Sequence, residues 1–308
     1  MLNICTIIVT FNGEKWIRSC LQSLELSTVP TQIIIVDNSS SDNTLKIIET
    51  SFSNVIILKQ SDNLGFGKAN NIGISHALKQ EADYVFLLNQ DARIEPNTIS
   101  DLVSKSQRNK EYGILSPIHF NWKGDELEYY FKQFIQKNNG LSQLDEVGDF
   151  KRELYKLSFV NAAAWLLPIK TLKTVGGFDP LFYHYGEDNN YCQRILYHQL
   201  KIGIVSKAKI YHDSTIRTRD IIPLFSDTYF KQEIKQLLIK YANINRKFGR
   251  NDRNEMRVHQ GKVLVRNLKK MNLKSVIGYL KKYLIFELAF CKIRKSRTLN
   301  ESKGAHYL

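Results

Sequence analysis

Leu87-Leu88-Asn89-Gln90-Asp91-Ala92 ends an uncharged apolar run, Tyr84–Leu88, in an abrupt carboxylate. A short β-rich run without charge reads as a buried strand. Asp91 then falls at the strand's carboxyl end, where open α/β sheets hold their ligands. A carboxylate there can hold a divalent cation, and the cation can hold a diphosphate.

Working outward, strand and helix patterns alternate. Residues 3–10 and 32–36 are apolar and β-branched, and Val55 to Leu58 form a third strand pattern. Ile17, Leu21 and Leu24 recur at helical spacing within 14–26, Asp42 can cap a helix through Thr50, and 67–78 reads as a helix. Pro96 suits the opening turn of the next helix. This order predicts a mostly parallel, Rossmann-like α/β sheet with flanking helices. Residues 114–116 add a strand, and 119–156 read as an irregular insertion, a hairpin or a loop. Residues 158–167 return to a strand pattern, 176–180 form a turn, and 188–200 form a helix. Short strands are expected at 202–205 and 209–211. Beyond Pro223 the pattern is helical, with Ile234, Leu237, Leu238 and Tyr241 on one stripe. Two domains are expected, 1–220 and a basic helical region, 221–308.

The chain has 308 residues, 43% hydrophobic and 24% charged, ordinary values for a globular protein. Cys5, Cys20, Cys192 and Cys291 lie far apart, which argues against a disulfide framework or a zinc site and for a reducing compartment. The start reads as a strand rather than a signal peptide, and no apolar run reaches the ~20 residues of a membrane span. These features predict a cytoplasmic location. The net charge of +14 is uneven: residues 1–100 carry −3 and residues 231–308 carry +15.

Four polar points follow the first four strands: Asn12, Asp37, Asn63 and Asp91. In a parallel sheet these ends share one edge. Each alone has an ordinary explanation as a turn or cap residue; together they point to a ligand crevice. Neither the dinucleotide fingerprint nor the Walker pattern is present. A nucleotide diphosphate would then need another counter-charge, which a metal on Asp91 would supply. Asp37 could accept a hydrogen bond from a base N–H. Gly65 and Gly67 could admit close backbone approach, or merely shape the turn, and Lys68 could neutralise phosphate or stay solvated. Trp165 could stack on a sugar, though filling the core is the favoured reading.

Ile7–Asn12, Val36–Asp42, Asn63–Asn71 and Leu88–Asp91 together resemble the family-2 inverting glycosyltransferases of GT-A fold. Gly176-Gly177-Phe178-Asp179, Tyr185-Gly186-Glu187-Asp188 and His212 match in order, and the rhamnosyltransferase-like bacterial branch is the nearest likeness. The resemblance implies that Thr10, Phe11, Asn12, Asp37 and Asn63 line the base and ribose, with Gly67, Lys68 and Asn89 also on the nucleotide side. It implies Asp91 as the main ligand of Mg²⁺ or Mn²⁺, completed by His212, whose alternative is a locally bonded strand-end histidine. Asn89 stands where the family has the first Asp of its Asp-x-Asp motif. Glu187 and Asp188 could be helix-capping acids; the resemblance makes Asp188 the general base, with Glu187 the alternative.

The implied reaction moves a sugar from a UDP- or dTDP-sugar to a glycan or glycolipid acceptor in bacterial surface polysaccharide or O-antigen synthesis. The competing reading is a nucleotide-binding or membrane-surface module without catalysis. The basic helices suit the inner membrane surface, or pack as a bundle with solvated charges, or mediate a homodimer. No motif supports nucleic-acid binding.

Overall fold

The computed structural model describes residues 2–137, 152–183, 185–214 and 222–308. The chain divides into two compact units: Met1–Arg217 with Lys303–Leu308, and Thr218–Ser302. Segment Lys303–Leu308 thus belongs with the first unit, although the preceding helices do not.

The first unit opens with β1 (Ile4–Thr10), α1 (Ile17–Glu25), β2 (Gln32–Asp37), α2 (Thr44–Ser51), β3 (Val55–Lys59), α3 (Phe66–Lys79) and β4 (Tyr84–Leu88). It continues through β5 (Ala92–Ile94), α4 (Thr98–Arg108), β6 (Tyr112–Asn121), α5 (Tyr129–Lys137), β7 (Leu154–Leu157), β8 (Ala164–Pro168), α6 (Ile169–Val175), α7 (Glu187–Tyr197) and β9 (Lys201–His212).

One sheet runs β3-β2-β1-β4-β8-β6-β9-β5, with β7 also on β9. Strands β1 to β4 are mutually parallel, as the alternating pattern predicts. β8 then enters antiparallel between β4 and β6. β1, β2 and β4 are almost entirely buried, so their two sets of side chains feed two apolar layers. Ile7, Ile34, Val36 and Leu87 pack on one face, with Trp165 and Phe178; Ile8, Ile35, Phe86 and Leu88 pack on the other. Trp165 is fully buried against Phe178 and Tyr191, a core residue as favoured.

The departures from the sequence reading have physical causes. Residues 202–211 form one strand, β9, rather than two, because β6 pairs along nearly all of it and absorbs a register shift between Pro117 and Ile118. Opposite β6, β7 takes Ile202–Val205 and β5 takes Ile210–His212. Where it is described, the expected insertion is mostly regular, supplying the end of β6, α5 and most of β7; residues 138–151 lie outside the described residues. Glu128 organises its helix by accepting the backbone N–H groups of Tyr130 and Phe131. The strand expected at 158–167 is confined to β8. The first turn of α4 follows Asn97 rather than Pro96.

The second unit holds α8 (Asp227–Tyr241), α9 (Arg250–Lys269) and α10 (Leu273–Glu301). Ser226 caps α8 through the Tyr229 N–H. Leu237 and Leu238 are buried, as the stripe predicts. Glu287 on α10 receives both Arg253 and Arg257 of α9, and Lys282 reaches Glu233 of α8. Arg297 is mostly buried and donates to the carbonyls of Tyr241, Asn243 and Arg246, which pins the α8–α9 connection. Among the described residues no helix is long and apolar enough to cross a membrane.

Candidate active site

The ends of β1 and β2 are bound into one another. Asp37 is nearly fully buried. Its Oδ1 accepts from the Thr10 hydroxyl at 2.8 Å and the Ser40 hydroxyl at 2.6 Å, and its Oδ2 from the Ser40 N–H at 3.0 Å. Thr10 is fully buried, so its hydroxyl orients Asp37 rather than facing a ligand. Asn12 sits at φ 49° and accepts the Ser41 N–H at 2.8 Å, while Phe11 stays exposed at the rim. Gln90, just past β4, accepts the Phe11 N–H at 3.0 Å and donates to the Phe11 carbonyl at 3.1 Å. Its amide thus fixes the end of β1.

Asn63 accepts the Gly65 N–H and shapes the turn into α3, while its carbonyl takes the Tyr183 hydroxyl at 2.8 Å. Gly67 also has a packing role. A Cβ there would lie 3.0 Å from Phe178 Cβ and 3.7 Å from Glu187 Cβ. Gly67 is therefore the point where the first turn of α3 meets that of α7. Lys68 is exposed, on a groove shared with His76, Lys79 and Tyr307.

β5 pairs with β9 so that Ala92 lies opposite His212. That register brings Asp91 Oδ1 to 3.3 Å from His212 Nε2, with Asn89 Nδ2 at 3.5 Å from the same nitrogen. Asp213 accepts Lys15 Nζ and Trp16 Nε1, both at 2.7 Å, and ties the end of β9 to the loop after β1. Burial disfavours a charged His212. The hydrogen bond and charge of Asp91, with Glu128 and Asp213, outweigh it and hold His212 above the usual histidine value. Its neighbour His119, stacked on Phe131, is pushed well below that value by full burial and then by His212.

The pocket around Asp91 and His212 therefore favours positive charge. Two ligands of one small divalent ion at ~2.1 Å stand about 3 Å apart, close to the observed separation. Among the described residues no group of three or more His, Cys, Asp or Glu could hold a metal. Asp91 and His212 alone would leave most positions to substrate phosphates, the usual arrangement for Mg²⁺.

Gly186, at φ 102°, starts α7, with Glu187 buried and Asp188 half-buried in the first turn. Asp188 Oδ1 accepts its neighbour Asn189's N–H at 2.7 Å. The helix dipole favours a carboxylate there. The Cys192 thiol, one turn further on, is pushed up by burial and by the Asp188 charge. Because α3 begins beyond the end of β3, the Gly67–Glu187 contact puts the start of α7 on the same sheet edge as Asp37 and Asp91.

The chain matches a known sequence family: the model of glycosyl transferase family 2 fits residues 5–167. The chain belongs to that family. Among its relatives, dTDP-rhamnosyl transferase RfbF of Shigella flexneri is 28% identical over 249 residues, 79% of this chain and 81% of that protein. O-antigen chain rhamnosyltransferase WbaN of Salmonella anatum is 24% identical over 226 residues, 72% of this chain and 70% of its own. The crystal structure of Staphylococcus aureus TarS residues 1–349 in complex with UDP-GlcNAc superposes with TM-score 0.53 at 16% identity, covering 97% of this chain and 89% of that one. The fold of this glycosyltransferase is thus GT-A, with helices following the catalytic sheet, and its relatives are rhamnosyltransferase-like.

Sequence reasoning gave no role to Asn38, Ser40, Gln90 or Asp213. Asn38 donates to the Gly65 carbonyl and accepts the Leu64 N–H, joining the β2 edge to the turn before α3. The polar run Asp37–Asp42 was the available signal for Asn38 and Ser40.

Proposed function

We propose that this enzyme transfers a deoxyhexose or hexose, with inversion, from a UDP- or dTDP-sugar to a glycan acceptor in bacterial surface polysaccharide or O-antigen synthesis. The observation that carries the reading is the shared sheet edge: a buried Asp37 at one end, the Asp91–His212 pair beside it, and Asp188 at the mouth of α7. The relatives' names support a rhamnosyl donor.

Phe11, Asn12, Asp37 and Asn63 hold the base and ribose, with Thr10 and Ser40 orienting the Asp37 carboxylate. Asp91 and His212 would hold Mg²⁺ or Mn²⁺ against the diphosphate, where the ion acts as a Lewis acid on the leaving group. Asn89, neutral and next to His212, orients that imidazole rather than adding charge. Asp188 accepts the proton of the acceptor hydroxyl as that oxygen attacks the anomeric carbon from the face opposite the departing diphosphate. Glu187, buried against the start of α3, fixes the helix that carries it.

The test is turnover with dTDP-rhamnose, UDP-GlcNAc and UDP-glucose, with and without Mn²⁺, followed by NMR of the product anomer. Release of nucleotide diphosphate with inverted configuration at the anomeric carbon is expected, fastest with dTDP-rhamnose. Retained configuration would overturn the mechanism, and no release from any nucleotide sugar would overturn the function.

The acceptor reading extends to a lipid-linked glycan at an anionic bilayer. Leu273, Ile277, Leu280, Leu284 and Leu288 recur every three or four residues on α10 and are all exposed, 47–71%. Lys274, Lys281, Lys292 and Lys295 are exposed beside them. A second copy would bring like charge against this stripe, whereas anionic headgroups complement it at about 1 kcal/mol per basic residue. Co-sedimentation with phosphatidylglycerol vesicles but not phosphatidylcholine vesicles is expected, with loss in Ile277→Asp/Leu284→Asp. Equal sedimentation of that variant would contradict the assignment.

A further inference from the structure

Segment Lys303–Leu308 follows the helices of the second unit yet is built into the catalytic unit. Its Gly304 N–H donates to the Thr174 carbonyl at 3.0 Å, and its His306 carbonyl accepts the Gly177 N–H at 2.8 Å. Leu308 packs against the core layer that contains Trp165 and Phe178. These contacts fall on the end of α6 and on the turn that follows it, Gly176 to Asp179, one of the pieces that carry the family resemblance.

The turn is held from three other sides. Asn71 of α3 brackets Phe178, accepting its N–H at 2.7 Å and donating to its carbonyl at 2.8 Å. The Tyr191 hydroxyl donates to the Gly176 carbonyl at 3.0 Å. Arg194, fully buried on α7, donates to the carbonyls of Gly177 and Val175. Burial pulls the Arg194 guanidinium below its usual value, and Tyr191, Asp179 and Tyr307 act the other way. The Tyr307 ring lies 5.4 Å from that guanidinium, a cation–π distance. Segment 303–308 therefore touches both the turn and the arginine that fastens α7 to it.

Gly176 records how closely the segment sits. Its φ is 82°, and a Cβ there would lie 2.4 Å from the His306 carbonyl oxygen. Only glycine fits this backbone with the segment in place. The same turn leads, within eight residues, to Gly186 and the start of α7.

We propose that Tyr307 and the backbone of Gly304–His306 are positioning elements of the catalytic site: they lock the Gly176–Asp179 turn and Arg194, and so fix the first turn of α7 with Asp188. This rests on the reading of Asp188 as the base. The residues assigned to the base and ribose, Phe11, Asn12, Asp37 and Asn63, stand at the ends of β1, β2 and β3, whereas the segment's hydrogen bonds to Thr174 and Gly177 fall on the end of α6 and the turn after it. Losing the segment's grip should misplace the base without disturbing the donor.

The experiment compares Tyr307→Ala and Tyr307→Phe in the full chain. Tyr307 is half-buried, so both variants are expected to fold. In Tyr307→Ala, kcat should fall about tenfold or more, since small misplacements of reacting groups are costly, while donor KM stays within about twofold. Amide exchange should quicken in peptides covering 176–190 and stay unchanged over 5–40. Tyr307→Phe, which keeps the ring face, should retain kcat within about twofold. Unchanged kcat, or unchanged exchange over 176–190, overturns the proposal. So does a loss of donor affinity and melting temperature equal to the loss of kcat, which marks a merely structural contact. Failure of the base reading shows separately, as normal turnover of Asp188→Asn with the segment intact.

Discussion

Asp188→Asn lowers kcat by about 10²–10⁴-fold, and nucleoside diphosphate binding stays within about twofold. The carboxamide keeps the shape of the side chain and an oxygen for the Asn189 N–H. It cannot take a proton at neutral pH, so the acceptor hydroxyl must ionise unaided. A positioned general base contributes about 10²–10⁴-fold, which sets the expected size. Binding should persist because Asp188 stands on α7, while the nucleotide's proposed partners stand on strand-end turns. Single-turnover kinetics and calorimetric titration of UDP and dTDP separate the two quantities. Glu187→Gln is the control. If it rather than Asp188→Asn stops the chemistry, the base is Glu187, and the buried carboxyl against Gly67 has a second role.

Asp91→Ala makes donor binding insensitive to Mn²⁺ and weakens it by about 100-fold at saturating metal, the size of effect that loss of a metal-site residue produces. The loss is large because Asp91 is the carboxylate that pairs with His212 Nε2 among the described residues. Without it, His212 loses the neighbour that does most to hold its pKa up against burial. The free imidazole is then neutral over a wider pH range, and the pocket loses its preference for positive charge. His212→Ala should weaken metal-dependent binding in the same direction. Titration of dTDP with and without EDTA is the readout. If wild-type affinity and rate ignore EDTA, Asp91 is not a metal ligand and the diphosphate is held by other charges.

The parallel half of the sheet was legible because β1 to β4 are short apolar runs that end in, or are followed at once by, polar residues. Local sequence carries that whole signal. The strand-end positions of Asp37 and Asp91 were legible for the same reason. What escaped depends on pairings between distant segments. β5 is three residues long and exists only because β9 lies beside it, so no local pattern announces it. β9 reads as two pieces because Ser206 and Lys207 interrupt its apolar run; β6 holds it together from outside.

Some individual residues changed meaning once neighbours were in place. Thr10 looked like a ligand contact but is buried beneath Asp37. Gly67, read as a point of close backbone approach to the nucleotide, is also a packing point between helices. Arg194, to which sequence reasoning assigned nothing, is fully buried among backbone carbonyls. Segment 303–308 looked like the end of a basic tail. Its role depends on Gly177, Thr174 and Arg194, more than 100 residues earlier.

The most direct test is a crystal structure of the protein with Mn²⁺ and a non-hydrolysable dTDP-sugar. The base is expected against Asp37 and Phe11, the diphosphate at a metal held by Asp91 and His212, and the Asp188 carboxylate facing the anomeric carbon from the side opposite the phosphate. A nucleotide bound away from the Asp91–His212 pair, or an Asp188 turned from the sugar, would contradict that arrangement.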